Sequence, residues 1–594
     1  MPPIGVGKFT GEDGIRLGKQ KKQSYVQGAL ILSVAVMISK IVGALFKIPL
    51  QMMSQVAFGY FNTAYEIYVP ISTIAMAGLP IAVSRMVSES ITLKRYRDVR
   101  MVYRVAVKTF LITGSVGALL MFVVSFFYTR MINAPGALYS MLVMSPTIFF
   151  CCLVSAHRGL YEGTRNMVPT ATSQVIEAVG KLVLGLTFAY GALLYGRWQF
   201  SQGKPVFGTM ATDAANADVL SYPFVAAGAM LGVTLGSFFA LIYMMIRHRR
   251  HGTGLQVSRE EYAAAPRPRS SRAIFRALMA IAIPVALGSL ATQVTNLIDA
   301  VSLQWCLKTV IADAGETVRG IYQGLFDPGL QADQFQSWLV GMRGTALTYV
   351  NLVPNFTQTF GISALPVITA AWVSKNRRQL KSTVESVLRI TLLIALPAGV
   401  GLTVLSGPLM NMIYGAAEAA VAGPILRVLG LSTAFICLIA PINSILQAVG
   451  RADIPVKVVL VGGVIKFLLN LLLIRNPEIN ILGSAYSTLV CYLVMVVISL
   501  IALRRAVGVR MRWRTVFIKP LLSSLCCGAA AWSADGLLSL VIPDKVATLL
   551  GVMIAVVVYV LALLLMRALT KTDVLMLPKG QKIAEILEKH HWIG

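Results

Sequence analysis

The chain alternates between long apolar runs and short polar connections, a pattern typical of a protein that crosses a membrane many times. A hydrocarbon core about 30 Å thick needs about 20 apolar residues per helix. Runs of that length predict an all-α polytopic membrane protein with fourteen transmembrane helices. The predicted spans lie near 26–50, 60–88, 103–128, 137–156, 168–194, 219–246, 273–301, 344–373, 386–413, 422–448, 455–474, 480–503, 516–541 and 546–569.

The overall composition agrees with this pattern. Apolar residues make up 56% of the chain, charged residues only 13%, and the mean hydropathy is +0.72, which excludes a soluble globular protein. The seven cysteines have no metal-like spacing, and all but Cys306 lie well inside apolar runs. We therefore expect small packing residues, with no metal site and no disulfide framework.

Basic residues are concentrated on alternate connections. Lys and Arg cluster in the first 25 residues, in 94–100, 247–272, 375–381 and 504–514, and again in the C-terminal tail. The positive-inside rule then places both termini in the cytoplasm and accounts for most of the net charge of +28. Nucleic-acid binding loses its support, because the charge is spread over many segments without interleaved aromatic residues. The longest outer connection, 302–343, is mildly acidic, and we expect it to be a solvated surface loop.

Two separate matches show an internal repeat. Pro80 and Pro366, in "AGLPIAVSRMVSE" and "SALPVITAAWVSK", are 286 positions apart, and Arg165 and Arg451 have the same offset. The repeat predicts two parallel six-helix lobes, arranged as a V around a central cleft and followed by two extra helices. The predicted segments are a cytoplasmic tail (1–25), an N-lobe with helices 1–6 (26–250), a cytoplasmic linker (251–272), a C-lobe with helices 7–12 (273–505), helices 13–14 (506–569) and a cytoplasmic tail (570–594).

Several charged or strongly polar side chains lie inside the predicted spans, where a charge costs about 2.5 to 3.5 kcal/mol unless it faces a cavity or a partner. We predict that these residues line a substrate site: Lys40, Lys47, Glu66, Arg85, Glu177, Lys181, Asp299, Lys466 and Asn470. Simpler roles remain open for several of them. Glu177 and Lys181 have i, i+4 spacing for mutual neutralisation, Arg85 lies near enough to the cytoplasmic surface to snorkel, and Asp299 lies near an outer helix end.

The excess of intramembrane lysine over carboxylate favours an anionic ligand. Glu66, Glu177 and Asp299 keep a cation-coupled drug antiporter as the alternative. The sequence has no G-x-x-x-x-G-K-[ST] loop and no H-E-x-x-H motif. We therefore expect a protein that is not an enzyme and that works without a built-in ATPase or a bound metal.

Four motifs resemble the polysaccharide-exporter branch of the multidrug/oligosaccharidyl-lipid/polysaccharide (MOP) superfamily, and within it the stage V sporulation protein B and lipid II flippase group of Gram-positive bacteria. They are "SKIVGALFKIPL", "AGLPIAVSRMVSE", "HRGLYEGTRNMVPTATSQVIEAVGK" and "LPKGQKIAEIL". The lipid II flippases carry "S-R-x-x-G-x-x-R-D" in the first helix. In this chain Lys40 matches the first basic residue, Phe46 replaces the second arginine and Lys47 replaces the aspartate.

The resemblance implies a flippase of the bacterial plasma membrane. Its substrate would be an undecaprenyl-pyrophosphate-linked cell-wall precursor, lipid II or a related polysaccharide unit, moved from the inner to the outer leaflet by alternating access through a cationic cavity. We expect a monomer without a cofactor, driven by Na⁺, H⁺ or the membrane potential, in contact with membrane lipids and with the cell-wall synthesis machinery. A third hypothesis is a scaffold for cell-wall or spore-cortex synthases. The sequence leaves open which glycan head group is carried and whether the role is vegetative or sporulation-specific.

Overall fold

The computed structural model describes residues 25–570, except Ala77, Gly254, Gln256, Ser258, Ala452, Val509 and Arg510. It is built from helices, with one isolated bridge between Val206 and Thr209 in the described part of the chain. The predicted N-terminal tail (apart from Tyr25) and, from residue 571, the C-terminal tail lie outside the described residues. The chain divides into two compact units, of which unit 1 ends at Gln293 and unit 2 begins at Val294.

The described residues of unit 1 form eight complete helices and the first part of a ninth. They are α1 (Tyr25–Met53), α2 (Gln55–Met76), α3 (Leu79–Thr92), α4 (Tyr96–Met131), α5 (Ala137–Gly163), α6 (Val168–Ser201), α7 (Ala214–His251), α8 (Arg259–Ala264) and α9 (Ser271–Ile321), which continues into unit 2.

In unit 2, the part of the chain that the structure describes forms the remainder of α9, nine further helices and one π-helical turn at Arg514–Ile518. The helices are α10 (Ala332–Val350), α11 (Leu352–Val373), α12 (Arg377–Val404), α13 (Ser406–Tyr414), α14 (Ala416–Ala448), α15 (Asp453–Leu473), α16 (Leu482–Val507), α17 (Lys519–Leu538) and α18 (Asp544–Leu565).

Twelve candidate membrane spans are found among the described residues by length and apolar composition. The prediction of an all-α polytopic membrane protein is therefore confirmed. The exact count of fourteen is not, because the predicted spans 273–301 and 344–373 are not among the twelve. Those segments are helical and fall within α9, α10 and α11. Their crossing of the membrane stays a prediction, as do the predicted lobe and linker boundaries.

Helix ends recur along the chain in a way that matches the repeat. Helix α5 ends at Gly163 and α14 at Ala448, and the following helices begin at Val168 and Asp453. These pairs are separated by 285 positions, one fewer than the sequence offset of 286. The two matched sequence segments therefore form the same helix–turn–helix connection in each unit.

Close contact between α6 and α7 organises unit 1. Helix α7 carries glycine at Gly228, Gly232 and Gly236, a small-residue spacing that lets two membrane helices approach closely. A methyl group added at Gly236 would lie 2.7 Å from the carbonyl oxygen of Glu177 and 3.0 Å from the backbone nitrogen of Lys181. The glycine face of α7 thus allows the α6 backbone at Glu177 and Lys181 to lie in direct contact with α7.

In unit 2, the core lies between α11, α12, α14 and α16. Leu388, Ile442 and Leu446 are fully buried there. Helices α17 and α18 pack against each other and beside α13, with Leu405, Cys527 and Ala555 at the contact. The hydroxyl of Tyr559 donates to the carbonyl oxygen of Leu393, 2.7 Å away, which fastens α18 to α12.

The connection 302–343, which the sequence predicts to lie on the outer side, differs from the solvated loop that the sequence also predicts. Much of it is helical, because α9 continues to Ile321 and α10 begins at Ala332. The guanidinium of Arg319 lies 5.2 Å from the ring centre of Phe335 and donates to the carbonyl oxygen of Leu330 at 2.6 Å. Trp338 and Phe335 are buried and stack with their ring centres 5.7 Å apart. Packing of these aromatic side chains orders the segment. The mildly acidic composition of 302–343 gives no indication of this packing in the sequence.

Candidate functional site

Three of the predicted site lysines belong to one cluster in unit 1. Lys40 and Lys47 lie two turns apart on α1, and Lys181 lies on α6, which packs along α1. Lys47 is close enough to both other lysines for electrostatic repulsion. The side chain of Lys40 is exposed in the structure, whereas Lys47 and Lys181 are half-buried. The cluster thus combines the solvent-accessible amine of Lys40 with the partly enclosed amines of Lys47 and Lys181.

Lys181 rests on aromatic rings. Its Nζ atom lies 4.9 Å from the ring centre of Phe46, 5.1 Å from that of Tyr65 and 5.7 Å from that of Phe61. Phe46 and Phe61 are fully buried, with their ring centres 5.6 Å apart. A ring face attracts a cation without neutralising it, unlike a carboxylate, so the positive charge of a protonated Lys181 remains available to a ligand.

Glu177 attracts Lys181 electrostatically, as the i, i+4 spacing allows, but the ion pair that its carboxylate makes is with another residue. Its carboxylate accepts instead from Nη2 of Arg158 on α5, at 3.0 Å, and from the hydroxyl of Ser237 on α7, at 3.4 Å. Arg158 also donates from Nε to the hydroxyl of Ser173, at 2.9 Å. Glu177 therefore ties α5, α6 and α7 together and leaves Lys181 outside its ion pair.

The other two predicted residues of unit 1 have different surroundings. Glu66 lies half-buried on α2, where it attracts Lys47 electrostatically. Arg85 is exposed on α3, and no ion pair among the described residues joins it to the lysine cluster. The predicted substrate role of Arg85 stays a prediction, whereas Glu66 belongs to the same electrostatic group as Lys40, Lys47 and Lys181.

The three predicted residues of unit 2 form a single buried network. Asp299 on α9 accepts from Lys466 on α15 at 2.9 Å, from Arg343 on α10 at 2.7 Å and from the amide of Asn470 at 3.1 Å. The Asn470 amide nitrogen also donates to the hydroxyl of Ser302, 2.8 Å away. A hydroxyl on α16, that of Ser487, donates to the amide oxygen of Asn470. Four helices are therefore joined around one carboxylate.

Arg343 and Arg158 are charged residues of these networks that the sequence prediction missed. Arg343 precedes the predicted span 344–373 by one position, and the sequence prediction assigns Arg158 to a cytoplasmic connection. In the structure Arg343 is buried on α10 and Arg158 lies within α5. A charge directly beside an apolar run was the only available signal, and it is equally typical of a residue at the membrane surface.

The two clusters have different chemical capacities. The unit 1 group sets Lys40, Lys47, Lys181 and Arg158 against Glu66 and Glu177, so that with all groups ionised it carries an excess of two positive charges. It is suited to binding an anion. The unit 2 network is closed on itself, with the side chains of Arg343 and Lys466 no more than 9% exposed. Among the described residues, no group of three or more His, Cys, Asp or Glu side chains is arranged to hold a metal ion.

Two parts of the sequence match family models, and curated relatives match over most of the chain. Residues 353–541 match the family model described as Lipid II flippase MurJ, and residues 25–202 match the model described as Polysaccharide biosynthesis protein. Stage V sporulation protein B of Bacillus subtilis (strain 168) is 23% identical over 470 residues, 78% of this chain and 80% of that protein. Lipid II flippase MurJ of the same organism is 23% identical over 496 residues, 81% of this chain and 83% of that protein.

Solved structures share the fold. The inward closed conformation of Lipid II flippase MurJ matches with a TM-score of 0.59 at 14% identity, over 90% of this chain and 98% of that one. An inward-facing multidrug resistance MATE family transporter of the MOP superfamily matches with a TM-score of 0.57 at 14% identity, over 81% and 98% of the two chains. The chain thus has the fold of a polytopic α-helical membrane protein, and that fold resembles those of these two solved structures.

In sequence, the chain is similar to stage V sporulation protein B and to lipid II flippase MurJ of Bacillus subtilis, and part of it matches the family model of the latter. The predicted resemblance is confirmed.

Proposed function

We propose that this protein is a flippase that moves an undecaprenyl-pyrophosphate-linked cell-wall precursor, lipid II or a related lipid-linked polysaccharide unit, from the inner to the outer leaflet. Its homology to stage V sporulation protein B and to a lipid II flippase supports a lipid-linked substrate. The lysine cluster of unit 1 is the structural observation that carries the proposal. Translocation proceeds by alternating access, and both termini of the chain are cytoplasmic.

The charge of the unit 1 cluster suits a diphosphate. A lipid-linked diphosphate is a dianion, and the ionised cluster has an excess of two positive charges. Lysine binds phosphate as a compact point charge with rotatable donors, so that several lysines accommodate a group that changes position during transport. Lys40 makes the first contact, because its side chain is the most exposed of the three, and Lys47 and Lys181 hold the diphosphate further in.

The cation-coupled antiporter is the alternative function, and the ion pairs tell against it. Such a transporter needs carboxylates that can exchange H⁺, Na⁺ or an organic cation. Glu177 is engaged by Arg158, and Asp299 is engaged by Arg343 and Lys466. Glu66 is attracted to Lys47. Each carboxylate of the predicted site therefore already has a cation supplied by the protein itself.

Translocation of a fluorescent lipid-linked oligosaccharide in proteoliposomes tests the proposal. Lys40→Ala and Lys47→Ala should each lower the translocation rate at least tenfold, and Lys181→Met should do the same. Lys108→Ala is the matched control, since Lys108 is an exposed lysine on α4 of the same unit. Unchanged translocation in both α1 variants would refute the role of the cluster.

Glu177→Gln separates the two functions. In the flippase the change removes a negative charge from the cluster, so that translocation should persist, whereas an antiporter that uses Glu177 should lose efflux of an organic cation such as ethidium. Genetic complementation of a strain depleted of its lipid II flippase then tests the substrate in the cell. Complementation by a variant with all three lysines neutralised would favour a scaffold and exclude the transport proposal.

A further inference from the structure

A buried carboxylate in unit 1 lies far from the lysine cluster in sequence and has no part in the proposed binding of substrate. Asp98, in the first turn of α4, is 1% exposed. Its Oδ2 atom accepts from Nε of Arg95 and from Nε of Arg269, both at 2.8 Å. Its Oδ1 atom accepts from the backbone N–H of Arg269, also at 2.8 Å. Arg95 is three residues away, but Arg269 is 171 residues away.

Arg269 belongs to the connection between α7 and α9. We call residues 259–270 the strap; it comprises the short helix α8 and the six residues that follow it. A second contact holds the strap nearer to its N-terminal end. There, Nη2 of Arg97 donates to the carbonyl oxygen of Ala263 at 2.9 Å. Between these two contacts, Ala265 is buried. The start of α4 therefore holds the strap through Arg97 and Asp98.

The strap ends where α9 begins. Helix α9 starts at Ser271, two residues after Arg269, and its backbone stays helical up to a kink at Ala314. Its first part packs closely on unit 1, because any side chain at Gly78 would collide with the backbone of Ala282. The same helix carries Asp299, the central carboxylate of the unit 2 network. The position of Arg269 thus bears directly on where this long helix starts.

We propose that Asp98 is a positioning residue that clamps the strap and thereby fixes the start of α9 on unit 1. The geometry distinguishes this clamp from an ordinary surface ion pair. A carboxylate with almost no solvent contact loses its hydration and depends on its protein donors, whereas exposed pairs contribute little. The backbone donor of Arg269 adds directionality, because it specifies the path of the chain as well as the position of a charge.

The clamp does not depend on the nature of the substrate, so its test needs no transport. Hydrogen–deuterium exchange is measured on the full-length protein in lipid nanodiscs, for peptides that cover 259–270 and 271–283. Arg269→Gln removes the long-range ion pair but leaves Asp98 paired with Arg95, so the protein should still fold. Exchange in both peptides should become about tenfold faster than in the wild type.

Arg267→Gln is the matched control. Arg267 lies two residues from Arg269, carries the same charge and is exposed. Its replacement should leave exchange unchanged. Equal exchange in the Arg267→Gln and Arg269→Gln variants would overturn the proposal. Faster exchange confined to 259–270 would overturn its second half, the fixing of α9. Asp98→Asn should loosen both peptides further, because all its donors then face a neutral amide.

Discussion

At the scale of single residues, the protein uses its buried cations in two ways. Lys466 and Arg343 share the carboxylate of Asp299, which offsets one of their two positive charges. Lys181 rests on aromatic rings, and the neighbouring carboxylate of Glu177 is paired with Arg158. The sequence singled out Lys466 and Lys181 alike as intramembrane lysines. Only their partners separate a lysine that stabilises helix packing from one that can bind an anion.

The first prediction is that replacing Asp299 destabilises the protein more than replacing Lys466, one of its two cationic partners. Asp299→Asn leaves two buried cations facing a neutral amide, which should cost about 3 to 5 kcal/mol of stability. Lys466→Met leaves the pair between Asp299 and Arg343 intact and should cost much less. Thermal unfolding in detergent should therefore show a clearly lower Tm for Asp299→Asn than for Lys466→Met.

Lys457→Met serves as the control for this comparison. Lys457 is on the same helix as Lys466, but its side chain is 75% exposed and pairs with the exposed Asp453. The substitution Lys457→Met should leave the Tm unchanged, since exposed ion pairs contribute little to stability. A larger loss of Tm for Lys466→Met than for Asp299→Asn would contradict the assignment of Asp299 as the centre of the network.

At the scale of elements, small residues determine where the candidate site lies. Helix α6 carries Glu177 and Lys181, and α7 approaches it through glycine. In a membrane, helices gain little from the hydrophobic effect on association, so close packing and hydrogen bonds between helices hold them together. The hydrogen bond from Ser237 of α7 to Glu177 adds to this contact. The glycine face of α7 is thus as necessary to the site as the charged residues.

The second prediction tests this contact with an added methyl group. In Gly236→Ala the new Cβ would lie 2.7 Å from the Glu177 carbonyl oxygen, so α6 and α7 must separate. Overpacking of this kind costs about 1 to 3 kcal/mol. The Tm should fall, and binding of the lipid-linked substrate should weaken because Lys181 moves with α6.

Gly191→Ala is the control for the same helix pair. Gly191 is also on α6, but a methyl group there meets nothing within 4 Å. Alanine also has a higher helix propensity than glycine, so this variant should be neutral or slightly more stable. An unchanged Tm in Gly236→Ala would show that the two helices adjust without cost and that the glycine face is dispensable.

At the scale of the whole molecule, the number of membrane crossings depends on two segments. Between residues 25 and 570, in the part that the structure describes, twelve candidate spans are found by length and composition, and 273–301 and 344–373 are the two further spans that the sequence predicts. If 273–301 crosses the membrane, the connection 302–343 lies outside the cell. If it does not, that connection lies on the same side as residue 270, which the sequence predicts to be cytoplasmic. One accessible position in this connection therefore decides between the two arrangements.

The third prediction uses Asp327, an exposed residue of that connection. In a variant whose native cysteines are replaced, Asp327→Cys should react with a membrane-impermeant maleimide added to intact cells. Gln202→Cys, between α6 and α7, should react in the same way, and Ser270→Cys should react only after the cells are opened. Labelling of Asp327→Cys only in opened cells would rule out the fourteen-span topology.

The fourth prediction concerns the energy source. A dianionic substrate that moves outward from a negative interior gains about 2.3 kcal/mol per charge for each 100 mV. Translocation in proteoliposomes should therefore accelerate when valinomycin and a K⁺ gradient make the compartment from which the lipid departs negative. It should not require Na⁺, because protein cations occupy Glu177 and Asp299. A translocation rate that does not depend on voltage but increases with a Na⁺ gradient would contradict this energy source.

The class of fold follows from the sequence alone, and so do most of the charged residues that meet in the two clusters. Hydropathy is a local property, since each span must satisfy its own backbone in hydrocarbon, so long apolar runs predicted membrane helices without knowledge of their packing. The repeat and the motifs of the first, second and fifth spans were also readable along the chain. The tertiary structure decided which charges meet. Asp299 and Lys466 are 167 positions apart, and Asp98 and Arg269 are 171 apart. Pairing across such distances depends on how helices pack, and no local pattern shows whether a buried lysine faces a carboxylate or the ring of Phe46.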